Sequence, residues 1–189
     1  MNLLDFVILA ANYGATAPAT TTEETTTERT IKFSGTTITT TGTGTTVSGN
    51  KVTITSGGEY TLTGTLSDGQ LIVNVTDEDD VILNLSGITM NCSSSAPIYA
   101  INANKLKLVL TDSTVNYVTD GANYSTTDGP EAAIYSKDDL TIKGTGTLKV
   151  TGNYKDAIKT TNEFKLNGGV VVVNSVDDGI IGKDNVEIS

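Results

Sequence analysis

Three acidic residues recur at a spacing that suits a cation. Asp156 lies two residues before Ile158, and Asp178 lies two before Ile180 with Asp177 beside it. The segments Glu131-Ala-Ala-Ile134, Lys155-Asp-Ala-Ile158 and Asp177-Asp-Gly-Ile180 form a three-fold repeat whose isoleucines are 24 and then 22 residues apart. Two carboxylates about 5 Å apart repel by roughly 3 kcal/mol at an effective dielectric near 20. A shared proton, a lysine or a cation must offset that repulsion. Lys155, beside Asp156 and in the column beneath Asp177, is one local answer. Calcium is the other, because it takes about six to eight oxygens and accepts carboxylates together with turn carbonyls. The turns at Gly152-Asn153 and Asn174-Ser175 are placed to supply such carbonyls.

The elements that carry these residues are short strands. Each tetrad is followed, six residues after its isoleucine, by a strand start: Leu140-Thr-Ile142, Phe164-Lys-Leu166 and Val186-Glu-Ile188. A period of this size built from strands predicts an all-β stack of coils, a β-solenoid. The inward sets Val81/Leu83/Leu85, Leu106/Leu108/Leu110, Leu140/Ile142, Phe164/Leu166 and Val186/Ile188 would form an apolar ladder with a strand spacing of about 4.8 Å. A β-sandwich also offers many short strands and is the alternative. Asp138, Asn162 and Asp184 follow the same isoleucines by four residues and form a second polar column, read as corner residues bonded to local backbone. Asp77-Glu78-Asp79-Asp80 reads as a solvated turn before Val81.

Composition narrows the chemistry. The chain has 22 Asp and Glu against 12 Lys and Arg, a net charge of −10, and a pI of about 4.3. That surface disfavours nucleic acid and anionic membranes and favours cations. Histidine is absent, which removes the usual general base of Ser/His or Cys/His catalysis and the commonest zinc ligand. The lone Cys92 allows no intramolecular disulfide and reads as a small buried residue. No stretch approaches the roughly 20 apolar residues of a membrane span. No Lys or Arg precedes the apolar Leu3–Ala11 stretch, so it does not read as a secretory leader.

Along the chain, residues 1–14 read as a short helix with Gly14 as its stop. They resemble the exit helix of a dockerin duplicate, without the calcium loop of that module. Residues 15–30 form a Thr-rich linker with nothing to bury, expected to be disordered. Residues 31–189 form the solenoid, with 31–75 as its less regular N-terminal cap. The distance from Ile98 to Ile134 is 36 residues, about 12 more than one coil, so Asp112–Pro130 is expected to protrude as a loop. Both ends look cut, and Val186-Glu-Ile-Ser189 reads as the start of an interrupted coil.

From about Val47 to Ser189 the chain resembles the calcium-dependent carbohydrate-binding β-helix domain of cell-surface proteins from plant-biomass-degrading bacteria. The resemblance is carried by Gly57-Gly-Glu-Tyr-Thr-Leu-Thr-Gly-Thr-Leu-Ser-Asp-Gly69, Asp79-Asp-Val-Ile-Leu-Asn-Leu85, Asp156-Ala-Ile158 and Asp177-Asp-Gly-Ile180. It implies a right-handed parallel β-helix, binding of cellulose and pectic acids, kinship in fold with family 9 polysaccharide lyases, and Asp156, Asp177 and Asp178 as calcium ligands. The lyases add an Asp shortly after the paired Asp-Gly and a lysine base on a later coil. Here Ile180 and Ile181 stand at the neighbouring positions, and Lys183, which has the look of a corner residue, is the one nearby candidate base.

The expected function is therefore non-catalytic, calcium-dependent binding of plant cell-wall polysaccharide, with calcium bridging Asp carboxylates to a galacturonate. Without a bridging cation, the net charge of −10 would repel polygalacturonate. Neutral cellulose would need flat aromatic surfaces, and with Trp absent these would be Tyr117, Tyr124, Tyr135 or Tyr154. Tyr154, Lys155, Lys183 and Tyr124 are the expected substrate contacts. A calcium-dependent lyase and a surface adhesin or spacer are the alternatives. The protein is expected to be secreted or at the cell surface, with a scaffold or further modules as partners through the N-terminal region.

Overall fold

The computed structural model describes residues 28–125 and 129–189, and all of its regular elements are strands. The expected helix over 1–14 and most of the Thr-rich segment lie outside the described residues. The last residues of that segment are ordered: Thr30 opens the first strand, and Arg29 donates from Nη1 to the Gly57 carbonyl at 2.7 Å.

Two antiparallel hairpins open the fold. They are β1 (Thr30–Gly35) with β2 (Thr37–Thr41), and β3 (Thr45–Ser48) with β4 (Lys51–Ile54). Then follow β5 (Gly58–Leu66), β6 (Gln70–Asn74), the long β7 (Asp80–Cys92), β8 (Ile98–Asn102) and β9 (Lys105–Leu110). Three repeats of three strands complete it: β10 (Val115–Asp120), β11 (Ala132–Ser136), β12 (Asp139–Gly144); β13 (Thr147–Gly152), β14 (Asp156–Thr160), β15 (Glu163–Asn167); and β16 (Val170–Ser175), β17 (Ile180–Gly182), β18 (Asn185–Ile188).

Apart from the two hairpins, the pairings among the described residues are parallel, so the antiparallel sandwich is not what forms. Corresponding strands of successive repeats stack in register. One column runs β4, β6, β8, β11, β14, β17; the other two run outward from β7, as β9, β12, β15, β18 and as β10, β13, β16. The expected registration on isoleucines holds, with Ile98 paired to Ile134, Ile134 to Ile158 and Ile158 to Ile180.

The apolar ladder forms because alternate residues of each strand face the same way. Val81 pairs with Leu106, Leu106 with Leu140 and Leu140 with Phe164, all fully buried. Burying each such side chain contributes about 1.5–3 kcal/mol. The expected final pair departs from this: Val186 is 45% and Ile188 67% exposed. They lie on β18, which has a neighbour on one side only.

The expected loop over Asp112–Pro130 is also corrected. Val115–Asp120 is β10, a strand seated between β7 and β13. Its alternation Val115, Tyr117, Thr119 outward and Asn116, Val118, Asp120 inward is masked in sequence by the two inward polar residues. Asn116 is fully buried, yet its Oδ1 accepts from the Gly87 and Ile88 amides, both at 3.0 Å. The excess length between repeats therefore belongs to the segment after Asp120.

Candidate functional site

Asp156 begins β14 and is 2% exposed, whereas Asp177 and Asp178 are exposed on the turn between β16 and β17. One carboxylate oxygen from each lies within 4.8 Å of the others. Backbone bonds between the two turns create this meeting. The Val176 and Asp177 amides both donate to the Lys155 carbonyl, at 3.1 and 3.0 Å, and Ala157 N–H donates to the Asp178 carbonyl at 3.1 Å. The Gly152 carbonyl, expected as a cation ligand, accepts from Val176 N–H at 3.1 Å. Gly152 must be glycine, because a Cβ there would sit 2.2 Å from the Asp156 carbonyl oxygen.

Asp156 is partly engaged. Its Oδ1 accepts from the Asp178 amide at 3.1 Å, and its Oδ2 lies 3.3 Å from Lys159 Nζ. Lys159 thus has the compensating role expected of Lys155. Lys155 instead pairs with Glu131 on the preceding repeat at 2.5 Å, and Glu131 Oε2 also accepts from Lys159 at 2.6 Å. These lysine hydrogen bonds hold the Glu131 carboxyl down at about 2. The Glu131 hydrogen bond raises Lys155 above the usual lysine range. Burial pulls Lys159 down, but its bonds to Glu131 and Asp156 outweigh that and leave it raised. Sequence reasoning overlooked Lys159. The signal was its place one residue beyond the tetrad on the same strand, three after Asp156 and in register with Tyr135.

The expected sugar contacts divide. Tyr154 lies next to the trio, with Lys155 Nζ 5.5 Å from its ring centroid. Tyr124 stacks on Tyr154 at 4.2 Å between centroids and 15° between planes. Its hydroxyl is committed, since it donates to Asp120 Oδ2 at 2.7 Å and also faces the Ala132 carbonyl at 3.0 Å. Asp120, 4% exposed, also accepts from the Asn153 amide. Burial pushes the Asp120 carboxyl up against these bonds, and burial with the Asp120 bond pushes the Tyr124 phenol up. The pair braces the Gly152–Lys155 turn that carries Asp156. Lys183 follows β17 whereas Asp177 and Asp178 precede it, so the strand separates it from the trio.

Other polar residues are structural. Asp138 Oδ2 accepts from Ala103 N–H at 2.9 Å, and the Asp138 carbonyl accepts from Thr160 Oγ1 at 2.6 Å, as expected of a corner column. Asp80 is no free turn residue: it opens β7, pairs with Lys107 and accepts from Asn104 Nδ2 at 2.7 Å. Tyr117, expected in a loop, projects from β10 with Lys149 Nζ 5.5 Å from its ring centroid.

The donor set of the trio is all hard oxygen, which fits a cation such as calcium. The Asp156 carboxylate and the exposed Asp177 and Asp178 carboxylates would supply the protein ligands. Residues 48–189 match the family model described as carbohydrate-binding domain-containing protein, and the chain belongs to that family.

A carbohydrate-binding domain-containing protein of Acetivibrio thermocellus is 41% identical over 136 residues, which cover 70% of this chain. The chain spans about half of that relative, 48% of its length. A solved polysaccharide lyase-like protein from C. thermocellum, studied as a gadolinium derivative, superposes with a TM-score of 0.83 at 38% identity. The match covers 86% of this chain and 67% of that one.

Proposed function

We propose that the described domain is a right-handed parallel β-helix module that binds plant cell-wall polysaccharide through calcium, without cleaving it. The observation that carries this reading is the convergence of Asp156, Asp177 and Asp178 from two successive repeats to within 4.8 Å. Pectic acid is the substrate class that most needs such a cation, because calcium reconciles an acidic sugar with a protein of net charge −10. Cellulose is the second expected ligand, carried by tyrosines rather than by the cation. Membership of a carbohydrate-binding family supports the polysaccharide partner. The protein would work outside the cell or at its surface, where such polymers are met.

A lyase reading draws on the lyase-like neighbour. Proton abstraction beside a uronate needs a neutral lysine within reach of the cation. Lys155 and Lys159 are both raised in pKa and both hydrogen-bonded to Glu131, which favours binding over catalysis.

The test is a calorimetric calcium titration of the wild type against Asp177→Ala/Asp178→Ala, followed by polygalacturonate binding with and without calcium. Loss of calcium and pectate binding in the double variant is expected. Equal calcium affinity in both proteins would refute the site. Sustained ultraviolet absorbance from unsaturated product would sink the non-catalytic reading.

A further inference from the structure

A second concave feature lies on the same sheet, away from the acidic trio. Ile72 on β6 pairs in register with Tyr99 on β8, and Tyr99 with Tyr135 on β11. These residues are half-buried and face outward from the column. Tyr135 meets the Tyr99 ring edge-on, at 5.7 Å between centroids and 68° between planes, which fixes its orientation. Over Ile72, Tyr99 and Ile101 lies an open cleft of about 640 Å³, lined also by Ser94, Ser95, Ser125 and Pro130, with the Ser125 N–H donating to the Ser94 carbonyl at 3.0 Å. Gln70, 4% exposed, is held in its wall by Nε2 bonds to Ser95 Oγ at 3.0 Å and the Ala96 carbonyl at 2.8 Å.

We infer that this cleft is a separate glycan subsite, which takes an uncharged pyranose chain without calcium. The inference assumes the carbohydrate-binding reading but not its cation. A pyranose has an apolar C–H face and a hydroxyl rim. The cleft offers the complement: an aromatic and aliphatic floor, with hydroxyl and amide groups around it. Its volume lies in the range of small-ligand sites. Among the described residues that line it there is no carboxylate, and Lys51 is the one charged side chain. A single ammonium on a molecule of net charge −10 does not favour a polyanion, which points to an uncharged sugar. Tyr99 and Lys159 occupy matching positions on strands two apart, a separation of about 10 Å at normal strand spacing. One polysaccharide could therefore contact both subsites along the stack.

The test titrates a soluble cello-oligosaccharide and an oligogalacturonate, each in calcium and in excess EDTA. The proteins are the wild type, Tyr99→Ala and Asp177→Ala/Asp178→Ala. Cello-oligosaccharide is expected to bind the wild type and the double aspartate variant equally, with or without EDTA, and to bind Tyr99→Ala about tenfold or more weakly. Should Tyr99→Ala fail to fold, Ser94→Trp at the exposed rim is expected to give the same loss by obstruction. Unchanged cello-oligosaccharide binding in these variants, its loss in EDTA, or retention of oligogalacturonate alone in EDTA would each overturn the inference. Calcium-free binding that persists while no calcium is taken up by the wild type would sink the cation site and leave this subsite standing.

Discussion

The backbone N–H of Asp178 donates to Oδ1 of Asp156 at 3.1 Å, across one repeat of the stack. The buried carboxylate thus anchors the turn that carries its two exposed neighbours. A structural role and the proposed ligand role therefore meet in one side chain, and the three aspartates should respond differently to substitution.

Asp156→Ala leaves the Asp178 amide without its partner and Lys159 with Glu131 alone. An unsatisfied group in such a position costs about 1–3 kcal/mol. A lowered melting temperature together with lost calcium uptake is expected for Asp156→Ala. Asp177→Ala, at an exposed position, should leave stability within about 0.5 kcal/mol of the wild type while weakening calcium binding. Thermal unfolding and calorimetry on both variants check this, and an equal stability loss in the two would contradict it.

Lys159 lies 3.3 Å from Asp156 Oδ2 and competes with a cation for that carboxylate. Lys159→Met should raise calcium affinity several-fold. Glu131→Gln should lower it, because Lys159 then has Asp156 as its remaining carboxylate partner. Calcium titrations of the two variants should move in opposite directions.

Glu131 gives a pH dependence of known sign. Its carboxyl falls from an ordinary 4.5 to about 2 in the fold, so the folded state favours the ionised form. The resulting stability is complete above about pH 4.5 and is lost as pH falls towards about 2. Its side chain is 40% exposed, so solvent screening keeps the contribution below about 1 kcal/mol. Denaturation curves across that window should show a decline in the wild type that is reduced in Glu131→Gln.

Asp120 should tolerate loss of its charge but not of its shape. Burial already disfavours the ionised carboxyl. Asp120→Asn keeps an acceptor for the Asn153 amide and presents a donor to the Tyr124 oxygen, so a change below about 1 kcal/mol is expected. Asp120→Ala strands the Asn153 amide and leaves the Tyr124 hydroxyl with the Ala132 carbonyl alone, and should cost about 1–3 kcal/mol. Chemical denaturation distinguishes the two outcomes.

Gly144→Ala tests the corners of the stack. Gly144 has φ +110°, and a Cβ there would meet the Leu110 carbonyl oxygen at 2.3 Å. Adding a methyl where φ is positive and backbone is this close should destabilise by more than about 1 kcal/mol. Gly87→Ala, with positive φ but open space around it, should cost less; melting temperatures in the reverse order would refute the steric argument.

The isoleucine repeat was sufficient to place Ile134, Ile158 and Ile180 in one column and to bring Asp156 towards Asp177 and Asp178. A strand stack translates a sequence period directly into spatial adjacency, since residues one repeat apart are paired neighbours. The β10 strand was not legible, because Asn116 and Asp120 put polar groups on its buried face and broke the apolar alternation. The β3–β4 hairpin, by contrast, does carry a local signal, the two-residue Gly49-Asn50 turn between its strands.

By itself, then, the sequence determined the all-β repeat, its apolar ladder and the set of acidic residues that share an edge. Tertiary structure alone decided how those charges are compensated. Lys155 turns to Glu131, the first residue of the preceding tetrad, and Lys159 reaches back along its own strand to Asp156, contacts that depend on side-chain reach and charge as well as on the period. It also decided that Tyr124 braces Asp120 while Tyr99 floors an open cleft. Both tyrosines are half-buried; the difference is what each meets, a carboxylate and a carbonyl for the Tyr124 hydroxyl and an open cleft for Tyr99, and only the packed repeats create it.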